Sequence, residues 1–218
     1  MVLKLYGSLT AAVMRVYCIL LEKNVPFELI PVDLRKGENR TPEYLAKQPF
    51  GQIPCIDDDG FVLFESRAIC HYIATKYAHQ GPDLIPQDLE KNALYQQWAS
   101  VEAFQFETKA VGVVTEAFYK PVFWGQEKNQ TLYDEHLDKL GKTLDVYETV
   151  LSKQKYLVGD ELTMVDLNHL PYAMLLGARG GTNIMQDESR PNVVRWFNEL
   201  SSRDSWKAVL AKLAEQQQ

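Results

Sequence analysis

What the chain lacks narrows it first. Three cysteines occur in 218 residues, Cys18, Cys55 and Cys70, with no CxxC pair and no Cys/His cluster. That spacing supports neither a redox dithiol nor a metal site, and a sparse, odd cysteine count suits a reducing compartment. The four histidines, His71, His79, His136 and His169, are scattered, and none has a Cys or Asp partner at catalytic spacing. No apolar run approaches the roughly 20 residues that span a bilayer, and the apolar opening, residues 1–7, is too short for a signal-peptide core. A cytoplasmic protein without membrane attachment is expected. Positive charge is also short. Against 29 Asp and Glu stand 23 Lys and Arg, a net −6, which argues against nucleic acid or an acidic membrane as partner. No internal repeat is evident. What is present is 46% hydrophobic residues, enough to bury a sizeable core in one or two domains.

The first third reads as alternating strands and helices. Residues 2–6 are a short apolar run stopped by Gly7-Ser8. Val13, Val16, Tyr17, Leu20 and Leu21 then repeat at helical spacing and predict a helix with one buried face, ending near Asn24 with Pro26 beyond. Residues 27–32 read as a second strand and 33–40 as a polar loop. Thr41-Pro42 reads as a cap followed by a first-turn proline. Residues 78–87, with Gly81, Pro82 and Pro86, read as a linker. Beyond it no strand is expected. Helical spacing recurs over 89–119, 132–151, 191–200 and 205–213, and Thr163-Met164-Val165-Asp166 has the spacing of a capping box. Pro171 should kink or tighten that helix. The glutamine tail at 216–218 is expected to fray.

Residues 49–73, PFGQIPCIDDDGFVLFESRAICHYI, are the most informative stretch. Apolar residues 53–56 and 61–64 flank an acidic turn ending in Gly60, a hairpin signal. Glu65-Ser66-Arg67 then opens a helix continued by Ile69, Tyr72, Ile73 and Lys76. A helix N-terminus facing a cleft presents unpaired N–H groups and suits a carboxylate. Pro54 is a candidate for a cis bond, which would turn the preceding backbone outward to pair with an extended peptide. The stretch is suited to a small peptide with a free α-carboxylate.

That stretch, together with KLYG, VDLRKGENRTPEYL, YLVGDELTMVDLNHLPY and RPNVVRWFNELSSRDSW, resembles the soluble glutathione transferases, most closely the phi class. DDDGF, LSKQKYL and DESRPNV resemble fungal more than plant members. The resemblance covers nearly the whole chain. It implies an α/β thioredoxin-like domain at residues 1–78, a linker at 79–87 and an all-helical domain at 88–218 that contributes the electrophile site. It also implies glutathione as co-substrate, no metal, a homodimer, and attack of the glutathione thiolate on a hydrophobic electrophile or a peroxide. The rival reading is a carrier of aromatic ligands on the same fold, with weak catalysis.

The reaction needs thiolate at neutral pH, whereas a free cysteine thiol has a pKa of roughly 8.5. Phi members place a serine hydroxyl five residues before an arginine. Counted back from Arg15, that position is Thr10, a departure from the family pattern that keeps an O–H donor but adds a methyl group. Thr10 is therefore read as thiolate donor or as a plain helix cap, with Ser8 as the alternative donor; Tyr6 reads as core. Glu65 and Ser66 match the residues that hold the ligand's α-ammonium and α-carboxylate, against the plainer reading of a helix cap. Arg67 adds charge there or serves a salt bridge. Gln52, Ile53 and Pro54 match the segment that pairs with the cysteinyl backbone. Asn39 and Arg40 fall where the family has His-Lys near the glycine carboxylate, or are surface loop residues. Phe118, Tyr119, Phe123 and Trp124 form an aromatic acceptor site expected between the domains, or else core. Phe50 resembles the aromatic knob inserted into a partner subunit. Asp166 resembles a cap acid with a folding role.

Overall fold

The protein is represented by a computed structural model that describes residues 2–216; the last two residues of the glutamine tail lie outside the described residues. Two compact units emerge, one from residues up to Ile85 together with those from Asp204 onward, the other from Pro86–Arg203.

In the first unit a four-stranded mixed sheet has the order β2-β1-β3-β4. Its strands are β1 Leu3–Tyr6, β2 Phe27–Ile30, β3 Cys55–Asp58 and β4 Phe61–Phe64. β1 runs parallel to β2 and antiparallel to β3, which pairs antiparallel with β4. The expected hairpin is present, and its turn is the two residues Asp59 (φ 57°) and Gly60 (φ 90°), the positive-φ geometry that suits the right-handed twist of paired strands. β3 starts at Cys55, two residues later than its apolar run, because Pro54 offers no N–H to a ladder; the Ile53-Pro54 bond is cis.

Helix α1, Ala11–Glu22, buries Ala11, Val13, Met14, Val16, Cys18, Ile19 and Leu20. Each large aliphatic side chain so buried stabilises by about 1.5–3 kcal/mol. It ends where Asn24 turns left-handed (φ 50°). There Asn24 N–H bonds Leu21 O at 3.0 Å and Val25 N–H bonds Leu20 O at 2.9 Å, closing the carbonyls of the last turn. The short α2, Pro42–Leu45, has Thr41 as cap, its hydroxyl oxygen accepting from Tyr44 N–H at 3.3 Å. Helix α3, Ser66–Lys76, packs on α1. The linker region is tied down by Lys23 Nζ donating to Pro82 O at 2.8 Å and Gln80 Nε2 donating to Lys23 O at 2.6 Å.

The second unit is helical. α4, Leu89–Val101, continues through a π-helical turn, Glu102–Glu107, into α5, Thr108–Val114, and a second π-helical stretch, Thr115–Trp124. α6, Gln130–Leu151, packs on α5, and α7, Met164–Asn168, is followed by α8, Leu170–Ala178, with Pro171 in its first turn. α9 is Pro191–Ser201. Phe106, Tyr147, His169 and Trp196 form a buried aromatic core.

The last helix, α10, Asp204–Glu215, which the sequence reading grouped with the helical domain, packs on α1 in the first unit. Trp206 and Val209 are buried, and Ser205 Oγ donates to Glu22 while Cys18 Sγ approaches it at 3.8 Å. Among the described residues no helix is long and apolar enough to cross a membrane.

Candidate functional site

The sheet register gathers the candidate residues of the first unit. Tyr6 at the end of β1 pairs with Cys55 at the start of β3, and Cys55 pairs with Phe64 at the end of β4. The residues after β1, before β3 and after β4 therefore emerge at one edge of the sheet. These are Thr10, Ile53-Pro54 and Glu65-Ser66. Gly7 keeps this edge tight. A Cβ there would lie 2.7 Å from Val13 Cγ2 and 3.3 Å from Ile53 Cβ, closer than side chains tolerate.

Thr10 occupies the N-cap position of α1, yet its side chain caps nothing. Ser8 differs: its hydroxyl donates to Val32 O at 2.7 Å, so its proton is already placed. Ile53 is half-buried against Val32, Tyr44 and Cys55, while its N–H and C=O have no partner among the described residues. The backbone around it is held by neighbours. Tyr44 Oη donates to Gln52 O at 2.7 Å, and Gln52 N–H donates to Gln48 Oε1 at 3.1 Å. Cys55 points into the core, as the strand alternation implies. Burial pushes its thiol pKa up, with contact to the Tyr44 hydroxyl working the other way, so it is poorly suited to act as a nucleophile.

Glu65 is exposed and sits at φ 70°, ψ 108°, a strained conformation for a residue with a side chain. Its carboxylate makes no cap bond. Ser66 is buried, and its Oγ accepts a 2.8 Å hydrogen bond from Nη1 of Arg15. Arg67 follows in the first turn of α3, half-buried. The Arg15–Ser66 bond escaped the sequence reading. Its trace there was an arginine set between Met14 and Val16 on the apolar run of α1.

Asn39 and Arg40 both brace the loop before β3. Asn39 Nδ2 donates to Gly51 O at 2.6 Å and Arg40 Nη1 to Phe50 O at 3.1 Å. Gly51 suits this turn, since its φ is 62° and a Cβ would lie 2.9 Å from the backbone oxygen of Asn39. The loop displays Phe50, 62% exposed, its ring edge-on to Phe64 at 6.0 Å.

In the second unit, Phe118, Tyr119 and Phe123 form a ring cluster, the Phe118–Phe123 pair perpendicular at 5.5 Å. Five residues apart, these two meet because the segment is π-helical, with bonds reaching from i to i+5. Arg179 lies over Phe118 at 4.8 Å, and burial pushes the Tyr119 hydroxyl pKa up, with a hydrogen bond from Tyr172 partly offsetting it. Trp124 stands outside the cluster, 56% exposed.

Residues 1–75 match the family model for the glutathione S-transferase N-terminal domain, and residues 112–204 the one for the glutathione S-transferase C-terminal domain. Glutathione S-transferase F10 of Arabidopsis thaliana is 43% identical over 213 residues, spanning 97% of this chain and 98% of that protein. Glutathione S-transferase hmp2 of Hypomyces subiculosus is also 43% identical, over 214 residues, spanning 97% and 99%. The solved structure of glutathione S-transferase I from maize, in complex with an atrazine glutathione conjugate, is 35% identical with a TM-score of 0.90, over 98% of this chain and 99% of that one. With both halves of the architecture matched and plant and fungal relatives aligned almost end to end, the chain belongs to the glutathione S-transferases, in their phi class.

Proposed function

We propose that this transferase holds glutathione along the sheet edge and activates its thiol with the hydroxyl of Thr10. Glu65 takes the γ-glutamyl α-ammonium and Ser66 the α-carboxylate, while the open N–H and C=O of Ile53 pair with the cysteinyl backbone. Gln52, held by Tyr44 and Gln48, and Pro54 flank that pairing. Arg40 keeps donors beyond the one it gives Phe50 and offers them to the glycine carboxylate, whereas Asn39 serves as the loop brace. The single observation that carries thiol activation by Thr10 is the contrast at the start of α1. The Ser8 proton is committed to Val32 O, and the Thr10 hydroxyl is free of any cap bond where the helix N-terminus favours a thiolate.

The activated thiolate attacks an apolar electrophile or reduces a peroxide. Phe118, Tyr119, Phe123 and Trp124 supply the aromatic surface for the acceptor; the maize relative was solved in complex with an atrazine glutathione conjugate. Catalysis then consists mainly of positioning and deprotonating one thiol. Three buried free cysteines are consistent with work in the cytosol.

Thr10→Val tests the activation step. It keeps the branched shape and removes the donor, so the pKa of bound glutathione should rise by about one unit and conjugation slow by about tenfold. Thr10→Ser should retain activity. Thiolate absorbance against pH reads this directly. An unmoved titration in Thr10→Val would transfer the role elsewhere, and a wild type that binds glutathione without forming thiolate at neutral pH would favour the carrier.

The active form is a homodimer in which Phe50 enters the partner subunit. A phenylalanine this exposed on a braced loop is placed for such a contact. Phe50→Ala should raise the dimer dissociation constant by about tenfold or more in sedimentation equilibrium. A monomeric wild type, or an unchanged constant in the variant, would remove this part of the reading.

A further inference from the structure

Arg15 is 2% exposed, and a guanidinium costs much to bury unless it is hydrogen-bonded. Its Nη1 reaches 51 residues along the chain, from α1 to the first residue of α3, and donates to Ser66 Oγ. Guanidinium nitrogens only donate. The Ser66 oxygen must therefore accept, and its own proton is directed away from Arg15. Among the described residues that proton has no acceptor. The N–H groups of the first turn of α3 also lack partners within the helix. An acceptor docking beside Ser66 meets an oriented O–H, the positive helix end and a buried cation behind them.

We propose that Arg15 is a positioning residue for the γ-glutamyl α-carboxylate, acting through Ser66. The inference rests on the reading of Ser66 as the carboxylate contact. Arg15 contributes a charge as well as a donor. It fixes the hydroxyl rotor so that Ser66 donates outward, and it polarises that O–H, since chains of hydrogen bonds strengthen one another at low dielectric.

Calorimetry on the full chain tests this with two probes, glutathione and an analogue whose γ-glutamyl α-carboxylate is converted to an amide. The wild type should prefer glutathione by about tenfold or more. Arg15→Gln should lose about tenfold in glutathione affinity and less than about twofold for the amide, so the preference collapses. Arg15→Lys, which keeps the charge, should restore part of it. An equal loss for both probes marks Arg15 as a packing residue and overturns the proposal. So does an unchanged glutathione affinity, or loss of folding in both variants. Ser66→Ala separates the two levels. If it leaves the wild-type preference intact, the reading of Ser66 itself fails. If it abolishes the preference while Arg15→Gln keeps it, only the role of Arg15 fails.

Discussion

Glu65→Ala is expected to weaken glutathione binding about a hundredfold while leaving the melting temperature almost unchanged. The size follows from removing one charged partner of an ammonium–carboxylate contact, about 2–3 kcal/mol. The unchanged stability follows from the structure. Glu65 is exposed, caps nothing, and keeps its strained φ of 70° whether the side chain is glutamate or alanine. Glu65→Gly provides the internal control. It should bind as poorly as alanine, yet gain stability, because glycine relieves a left-handed backbone at a cost alanine still bears. Ser66→Ala should also weaken binding, but with a stability loss, since it removes one acceptor of a buried guanidinium. The two neighbours are thus separable: one substitution reports on the ligand alone, the other on ligand and fold together. Unaltered glutathione affinity in Glu65→Ala would return Glu65 to the role of an ordinary residue at a helix start.

The sequence was most legible where the chemistry is local. Asp59-Gly60 turns the hairpin because both residues accept positive φ. Thr41-Pro42 starts α2 because a hydroxyl and a preset φ suit a first turn. The sheet edge carrying Thr10, Ile53 and Glu65 was legible through the family pattern. What escaped it is nonlocal or departs from the usual period. Arg15 and Ser66 meet across α1 and α3, and no spacing along one helix reports that. The π-helical stretches at Glu102–Glu107 and Thr115–Trp124 insert an extra residue per turn, and a search at 3.6 residues passes over it. The docking of α10 on α1 depends on Trp206, Val209 and Ser205 finding partners some 180 residues away. Ser8 and Thr10 are equivalent as letters. Only the placement of Val32 O beside Ser8 tells them apart.

Asp166→Ala should destabilise the protein by about 3–5 kcal/mol, a large share of the roughly 5–15 kcal/mol of a typical domain. Asp166 is 0% exposed, and three chain segments converge on its carboxylate. Oδ2 accepts from Thr163 N–H at 3.0 Å and from Thr163 Oγ1 at 2.9 Å, which closes the start of α7. Oδ1 accepts from Leu157 N–H at 3.0 Å and from Trp196 Nε1 at 3.0 Å, which ties α7 to the preceding loop and to α9. Alanine strands all four donors in a dry interior, each costing about 1–3 kcal/mol before relaxation. These costs do not add fully, because the cap can loosen toward solvent. Asp166→Asn should be milder but still costly, since one acceptor oxygen becomes an NH2 that faces donors. Urea unfolding at one fixed protein concentration gives the comparison, because ligand and subunit association both shift apparent stability. The indole of Trp196 supplies a second readout: its fluorescence should change in the folded variant, as its N–H loses the carboxylate. A loss below about 1 kcal/mol, with that fluorescence unchanged, would mean that the buried network does not hold α7 in place. Glutathione affinity of the surviving folded fraction should stay near wild type, because Glu65, Ser66 and Ile53 all lie in the other unit.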